Sequence, residues 1–387
     1  MSKRVWILGA GFSAPLGGPL LTDLFSTKME SALKAHYDRV ADQNDPKSWI
    51  AVNLFRWGLG EPFAPTGTEH TLNGSRLWTN AEEYLDRLDS ARSSSNPAED
   101  VIREAIEKLI HGHDEFVHVL HIIRKWIDQN RKLLVEQVAL ASKQWMAAEC
   151  CVFLEDVDLN TERWTPYKNW AESLTVDDTI ITFNYDRVLE TLIEHKHGDL
   201  AIVDPVECVT AATTLVFKLH GSVDWKYSVQ ERKFHVTDEP DACMSLLLES
   251  FGMATPGPSK KIATGALKKL WSLAIGHLES ADNVFFLGYR FPETDTEAMR
   301  ALLLAMRRGS HKRDRLTEVV LGPDTSDDRV QRLQGLIAWT LGSAQAPRPL
   351  YAQDFMTLYA MGTHQGDGKT VRAEPAGSGG RRTADRS

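Results

Sequence analysis

Cysteine is scarce in this chain. Its four copies in 387 residues, Cys150, Cys151, Cys208 and Cys243, fall at irregular spacings and form no C-x-x-C pair, which excludes a disulfide framework and points to a reducing cytoplasm. Long apolar runs are missing too. Stretches such as Val284-Phe285-Phe286-Leu287 fall far short of the roughly 20 residues that span a bilayer, so no membrane association is expected. A basic excess is also absent. The formal net charge of −9 opposes the phosphate-neutralising surface of a general nucleic-acid binder, and no direct nucleic-acid ligand is expected. The start, Lys3-Arg4 before Val5-Trp6-Ile7-Leu8, has the charged and apolar parts of a signal peptide. Glycines and prolines interrupt it and no convincing cleavage pattern follows, so it reads as a first β-strand.

What is present is ample apolar material, 42% of the chain with 9% aromatic, enough to offset the ordering entropy of a large folded unit. Arg4–Leu8 runs as a buried-strand pattern into Gly9-Ala10-Gly11-Phe12-Ser13-Ala14, after which Leu20, Leu21, Leu24 and Phe25 recur at helical spacing. Residues 42–76 are punctuated by Gly58, Gly60, Pro62, Pro65 and Gly67 and read as a long irregular loop. Residues 81–151 carry helical spacings throughout and read as an all-helical insertion. Strands then alternate with helices: Thr179–Phe183, a helix from Asp186 to Glu194, Thr214–Leu219, a helix from Ile262 to Leu278, Val284–Leu287, a helix from Thr296 to Arg307, Val319–Leu321 and a helix from Arg329 to Trp339. That rhythm implies an α/β, Rossmann-like doubly wound parallel sheet, with ligands at the carboxyl ends of its strands. One folded unit over 1–361 is expected. Residues 362–387, with six glycines and a single valine as the only large apolar residue, read as a disordered tail.

Four segments place polar groups at predicted strand ends. Gly9-x-Gly11-x-x-Ala14 satisfies a dinucleotide fingerprint, in which glycines let backbone amides approach a pyrophosphate. A tight βα turn without a ligand would have the same pattern, and Glu30, the acidic residue at ribose-binding spacing, lies in a polar helical stretch. Thr182-Phe183-Asn184-Tyr185-Asp186 follows a strand; Asn184 can orient a ribose hydroxyl or a water, and Asp186 can act there or cap the next helix. Lys218-Leu219-His220-Gly221-Ser222 ends a strand in a histidine, a general-base candidate that also suits a structural role. Gly288-Tyr289-Arg290-Phe291-Pro292-Glu293-Thr294-Asp295 suits contact with the far half of a dinucleotide, and Thr294 or Asp295 is placed to cap the helix from Thr296. The histidines of His111-Gly112-His113-Asp114, with His118 and His121, suggest a rival metal site. At helical spacing they do not share one side, and a solvated surface explains them. Trp57 and Trp78, in or beside the long loop, can line a pocket, with core packing or partner contact the safer assignment.

In that order, Gly-Ala-Gly-x-Ser (Gly9, Ala10, Gly11, Ser13), Thr-x-Asn-Tyr-Asp (Thr182 to Asp186), Leu-His-Gly-Ser (Leu219 to Ser222) and Gly-Tyr-x-Phe-Pro-x-x-Asp (Gly288 to Asp295) resemble the sirtuin-like family, in particular its bacterial anti-phage-defence branch of NAD hydrolases. The resemblance covers roughly Arg4 to Leu321. It implies NAD as substrate, with phosphates near Gly9–Ser13, Asn184 and Asp186 near the nicotinamide ribose, His220 beside the ribose hydroxyls and the adenosine half at Gly288 and Tyr289. Thr182, Gly221 and Asp295 carry over as further cofactor contacts. Cleavage to nicotinamide and ADP-ribose is the implied reaction, in a regulated effector acting as a homo-oligomer or with an ATPase-type defence partner. Protein-deacylating relatives resemble one another in a zinc site of two C-x-x-C pairs and in a Gly-Ile-Pro-Asp-Phe-Arg segment; neither occurs in this sequence, so no zinc is expected. An NAD-binding sensor and an NAD-dependent deacylase remain the alternative readings.

Overall fold

In this computed structural model the described residues are 2–20, 24, 129, 136, 139–140, 142–144, 146–208, 212–228, 230–237, 251–254, 267–292, 295–309, 316–324, 326–341 and 347–362. The irregular loop, the histidine cluster, Trp57, Trp78, most of the helical insertion and the tail from residue 363 lie outside them; of the insertion's end, residues 146–151 are helical.

Strands β1 (Arg4–Leu8), β2 (Asp178–Thr182), β3 (Leu200–Ile202), β4 (Thr214–Lys218), β8 (Asn283–Leu287) and β9 (Leu316–Val320) form a six-stranded sheet in the order β3-β4-β2-β1-β8-β9. Every pairing in it is parallel. From β1 the chain goes to β2 on one side and later to β8 on the other, so the order reverses beside β1. A doubly wound α/β sheet opens its ligand crevice at such a point.

Alternation along the strands builds a core on each face. Val5, Ile7, Ile181, Phe217, Val284, Phe286 and Val319 pack against α4 (Lys268–Ser280), α5 (Thr296–Arg308) and α6 (Asp328–Leu341). Trp6, Leu8, Ile180, Val216, Phe285 and Val320 pack against α2 (Thr165–Ser173), α3 (Val188–Glu194) and α7 (Ala352–Ala360). Trp6 stacks on Phe285 at 4.3 Å and meets Trp170 and Tyr359 edge-on. Its indole Nε1 donates to buried Asp178 at 2.9 Å, and Asp178 also pairs with Arg4, which holds the Tyr359 hydroxyl. First strand, second strand and last helix are thereby tied together.

Between the glycine turn and the helical spacing read from Leu20 onward lies a short helical segment. It is one α-turn, α1 (Ala10–Ser13), and one 3₁₀ turn, Ala14–Leu16, before Gly17 at φ 104° ends it. The Leu24 amide donates to Leu20 O at 3.0 Å, as in a helix. Of the apolar residues beyond, Leu21 and Phe25 lie outside the described residues. A second sheet was not foreseen: β5 (Gly221–Ser228) pairs antiparallel with β6 (Lys233–Val236) and β7 (Phe251–Met253).

Candidate functional site

The glycine turn after β1 is built around a second glycine turn rather than around open space. The Gly9 amide donates to Leu287 O at 3.1 Å, the Gly11 amide to Gly288 O at 3.2 Å, and Phe12 N to Gly9 O at 2.8 Å. A Cβ on Gly9 would stand 2.6 Å from Tyr289 Cα, and one on Gly288, itself at φ 70°, 2.4 Å from the Gly11 carbonyl carbon. The glycines are therefore required by backbone meeting backbone at the switch point. The amides of Gly9 and Gly11 are committed within the protein, so a polar contribution of this turn to a ligand comes from other groups.

Asn184 reaches back into that turn. Its Nδ2 donates to Gly9 O at 3.1 Å and to Ser13 Oγ at 3.3 Å, while the Thr182 hydroxyl accepts its backbone amide at 3.1 Å. Asp186 accepts the Val188 amide at 3.1 Å from just outside α3, so the expected capping role is present in part; Arg187, the residue at the N-cap itself, caps with no side chain. Burial pushes the Asp186 carboxyl above its usual range, against the opposing pull of Lys218 and hydrogen bonds with Ser13, Val188 and Asn184.

His220 follows β4 and is covered. Ala254 N donates to its carbonyl at 2.8 Å, and the Tyr185 hydroxyl donates to Ala254 O at 2.6 Å, so the end of β7 roofs the loop. Phe183 meets the imidazole edge-on at 4.7 Å and Tyr185 stacks at 6.0 Å. The Asp295 carboxylate stands 3.7 Å from Nε2. Gly221, at φ 77°, starts β5; a Cβ there would lie 1.8 Å from Gly252 O, so its glycine serves the second sheet. Tyr289 is stacked on Phe183 at 4.2 Å and 8° and packs edge-on to Phe291, which leaves its ring in the core. Asp295 occupies the N-cap of α5 yet makes no side-chain cap bond there. One expectation is thus corrected: Asn184 and His220 are 9% and 4% exposed, not open strand ends. Of the two capping candidates, Asp295 makes no side-chain cap bond and Thr294 lies outside the described residues.

Asn184, Asp186, Ser13 and Gly9 form one directly bonded group. His220, Asp295 and Tyr289 form another, and Phe183, next to Asn184, packs on the rings of both His220 and Tyr289. Sequence reasoning missed what holds the first group: Lys218, 1% exposed, whose Nζ donates to Asp186 O at 2.7 Å, Glu190 Oε1 at 2.6 Å and Ser222 Oγ at 2.6 Å. Beside it Arg187 Nε donates to Asp224 at 3.2 Å. A lysine ending an apolar strand, with a glutamate on the helix after the preceding strand, was the available signal. Burial alone would lower this ammonium, but Glu190, Asp224 and Asp186 together hold it above its ordinary value. Burial, with Asp186 nearby, pushes the Cys150 thiol well above its usual range. Among the described residues no group of three or more His, Cys, Asp or Glu side chains is arranged to hold a metal ion. A small cleft of about 160 Å³ lies at the opposite end of the strands, lined by Lys3, Arg4, Asp177, Thr179 and His277, far from these motifs.

A family model described as a SIR2-like domain matches residues 178–335, from β2 into α6, and so takes in the second, third and fourth motifs. No curated protein matches. Solved structures similar to this chain include Sir2Tm bound to a propionylated peptide, at 15% identity over 93% of each chain with a TM-score of 0.32. Another is Sir2 with an inhibitor, 2′-O-acetyl-ADP-ribose and a deacetylated p53 peptide, at 13% identity over 93% of this chain and 94% of that one, TM-score 0.31.

Proposed function

We propose that the protein is an NAD glycohydrolase that cleaves NAD to nicotinamide and ADP-ribose. The observation that carries this reading is the convergence of Ser13, Asn184, Asp186 and His220 at the carboxyl ends of β1, β2 and β4, beside the point where the strand order reverses. The SIR2-like match over three of the four motifs supports it. So does the chemistry of the group. Breaking the C1′–N bond passes its electron pair to the pyridinium nitrogen, so nicotinamide leaves neutral while positive charge grows on the ribose. A carboxylate at Asp186 suits that charge. A water oxygen bonds to C1′ and loses a proton. Asn184, its Nδ2 fixed by Gly9 and Ser13, presents Oδ1 to orient that water, and neutral His220 accepts a ribose hydroxyl proton.

The same reading makes the protein a regulated effector depleting NAD in anti-phage defence, held in check by self-assembly or by an ATPase-type partner, because unrestrained NAD loss kills the cell that makes it. The test is NAD consumption by the full chain, with nicotinamide and ADP-ribose quantified, alongside His220→Ala, with and without an acyl-lysine peptide. Expected is peptide-independent release of nicotinamide, lost in the variant while its circular dichroism is unchanged. Release only with the peptide identifies a deacylase, and saturable NAD binding with no release under any condition identifies a sensor; either overturns the proposal.

A further inference from the structure

Asp295 has given up the role its position offers. It is the N-cap residue of α5, where an aspartate ordinarily accepts an amide of the first turn, yet no such bond is made. Its carboxylate is instead buried with the side chain 3% exposed, accepts the Tyr289 hydroxyl on Oδ2 at 3.3 Å and turns Oδ1 to His220 Nε2 at 3.7 Å. The loop that delivers it is held in an unfavourable shape. Phe291 sits at φ 51°, in the left-handed region, and is clamped by Arg332 donating to its carbonyl at 3.1 Å. Its neighbour Arg290 donates to Leu321 O at 2.8 Å and pairs with Asp327. Strain of this kind persists where surroundings over-determine it, and it gathers at working sites.

We infer that Asp295 is the positioning residue of His220, fixing the ring with its proton on Nε2 and countering the charge it gains when Nδ1 takes a proton from a ribose hydroxyl. This rests on the proposed NAD cleavage for its catalytic consequence, but the pairing itself does not. The proton leaves the hydroxyl oxygen, which keeps the bonding pair, and His220 returns it to that oxygen once water has bonded to C1′, the proton lost by the water going to solvent; Asp295 touches no reacting atom.

Asp295→Asn tests it, because the amide keeps the size of the carboxylate while it removes the charge and replaces one acceptor oxygen with an NH2 donor. Expected are a kcat about 100-fold lower, the order of a lost acid–base contribution, a KM changed less than about threefold and a melting temperature close to wild type. Tyr289→Phe, which frees Oδ2, should lower kcat in the same direction and by less. ¹⁵N spectra of histidine-labelled full chain, with His220 assigned by loss of its signal in His220→Ala, should show the Nε2–H tautomer in wild type and a shift towards Nδ1–H in Asp295→Asn. Wild-type kcat in Asp295→Asn, an Nδ1–H tautomer in the native protein, or a tautomer indifferent to the substitution overturns the inference. If no NAD is cleaved by any protein, the tautomer alone decides and the enzyme reading fails separately.

Discussion

Lys218 is the side chain on which most of the candidate site hangs. It reaches from the end of β4 to the Asp186 carbonyl, to Glu190 on α3 and to Ser222 on β5, and all three distances are short. Removing one member of such a buried pair strands the other, at a cost of about 3–5 kcal/mol. Lys218→Met is therefore expected to lower urea-unfolding stability by that amount, and Lys218→Met with Glu190→Leu to recover most of it. The folded ammonium is held above its ordinary 10.5, so its contribution is complete below that pH and is lost as the pH climbs through the raised folded value. The stability gap between wild type and Lys218→Met should accordingly narrow only in strong alkali. None of this was legible residue by residue, since Lys218 reads as the last letter of an apolar strand and its partners are 4, 28 and 32 positions away. Asn184 and His220 stand out in the sequence as candidate site residues, but their depth does not. Strand ends in a doubly wound sheet ordinarily open into the crevice; here Ala254, just after an unforeseen strand, bonds to His220 and Tyr185.

At the scale of elements, the two glycine turns act as one joint. Gly11 and Gly288 allow β1 and β8 to continue side by side past their last paired residues, with no space for a methyl group between them. Gly288→Ala places a Cβ at 2.4 Å from backbone and forces an alanine to φ 70°, so a loss of about 1–3 kcal/mol from conformational strain alone is expected, with the clash added. The opposite sign is expected for Gly276→Ala. Gly276 lies inside α4 with nothing within 4 Å of its would-be Cβ, and alanine there should add about 0.5–1 kcal/mol. Thermal melts of both variants check the pair. The five-residue apolar strands and the helices that follow them were readable from pattern alone. Three-residue β3 and β7 were not, being too short to show a period, and α2 and α7 were missed although each buries aromatic side chains.

For the whole molecule, the last described helix is part of the core. Phe355 and Met356 are fully buried against β1 and β8 through Trp6 and Phe285, and Tyr359 joins Arg4. Phe355→Ala should cost about 3–5 kcal/mol, and a chain ending before Ala352 should lack a cooperative urea transition, whereas one ending at residue 362 should keep it. The central position of β1 has a further consequence, for synthesis on the ribosome. Its neighbours β2 and β8 begin at Asp178 and Asn283, so at 5–20 residues per second the apolar segment Val5–Leu8 waits roughly 10–30 s for its first partner strand. The second arrives later still, and the helix that covers Trp6 only from residue 352 onward. The heart of this fold is made well before its cover, and chaperone occupancy of the nascent Val5–Leu8 segment should persist until about residue 360 has emerged.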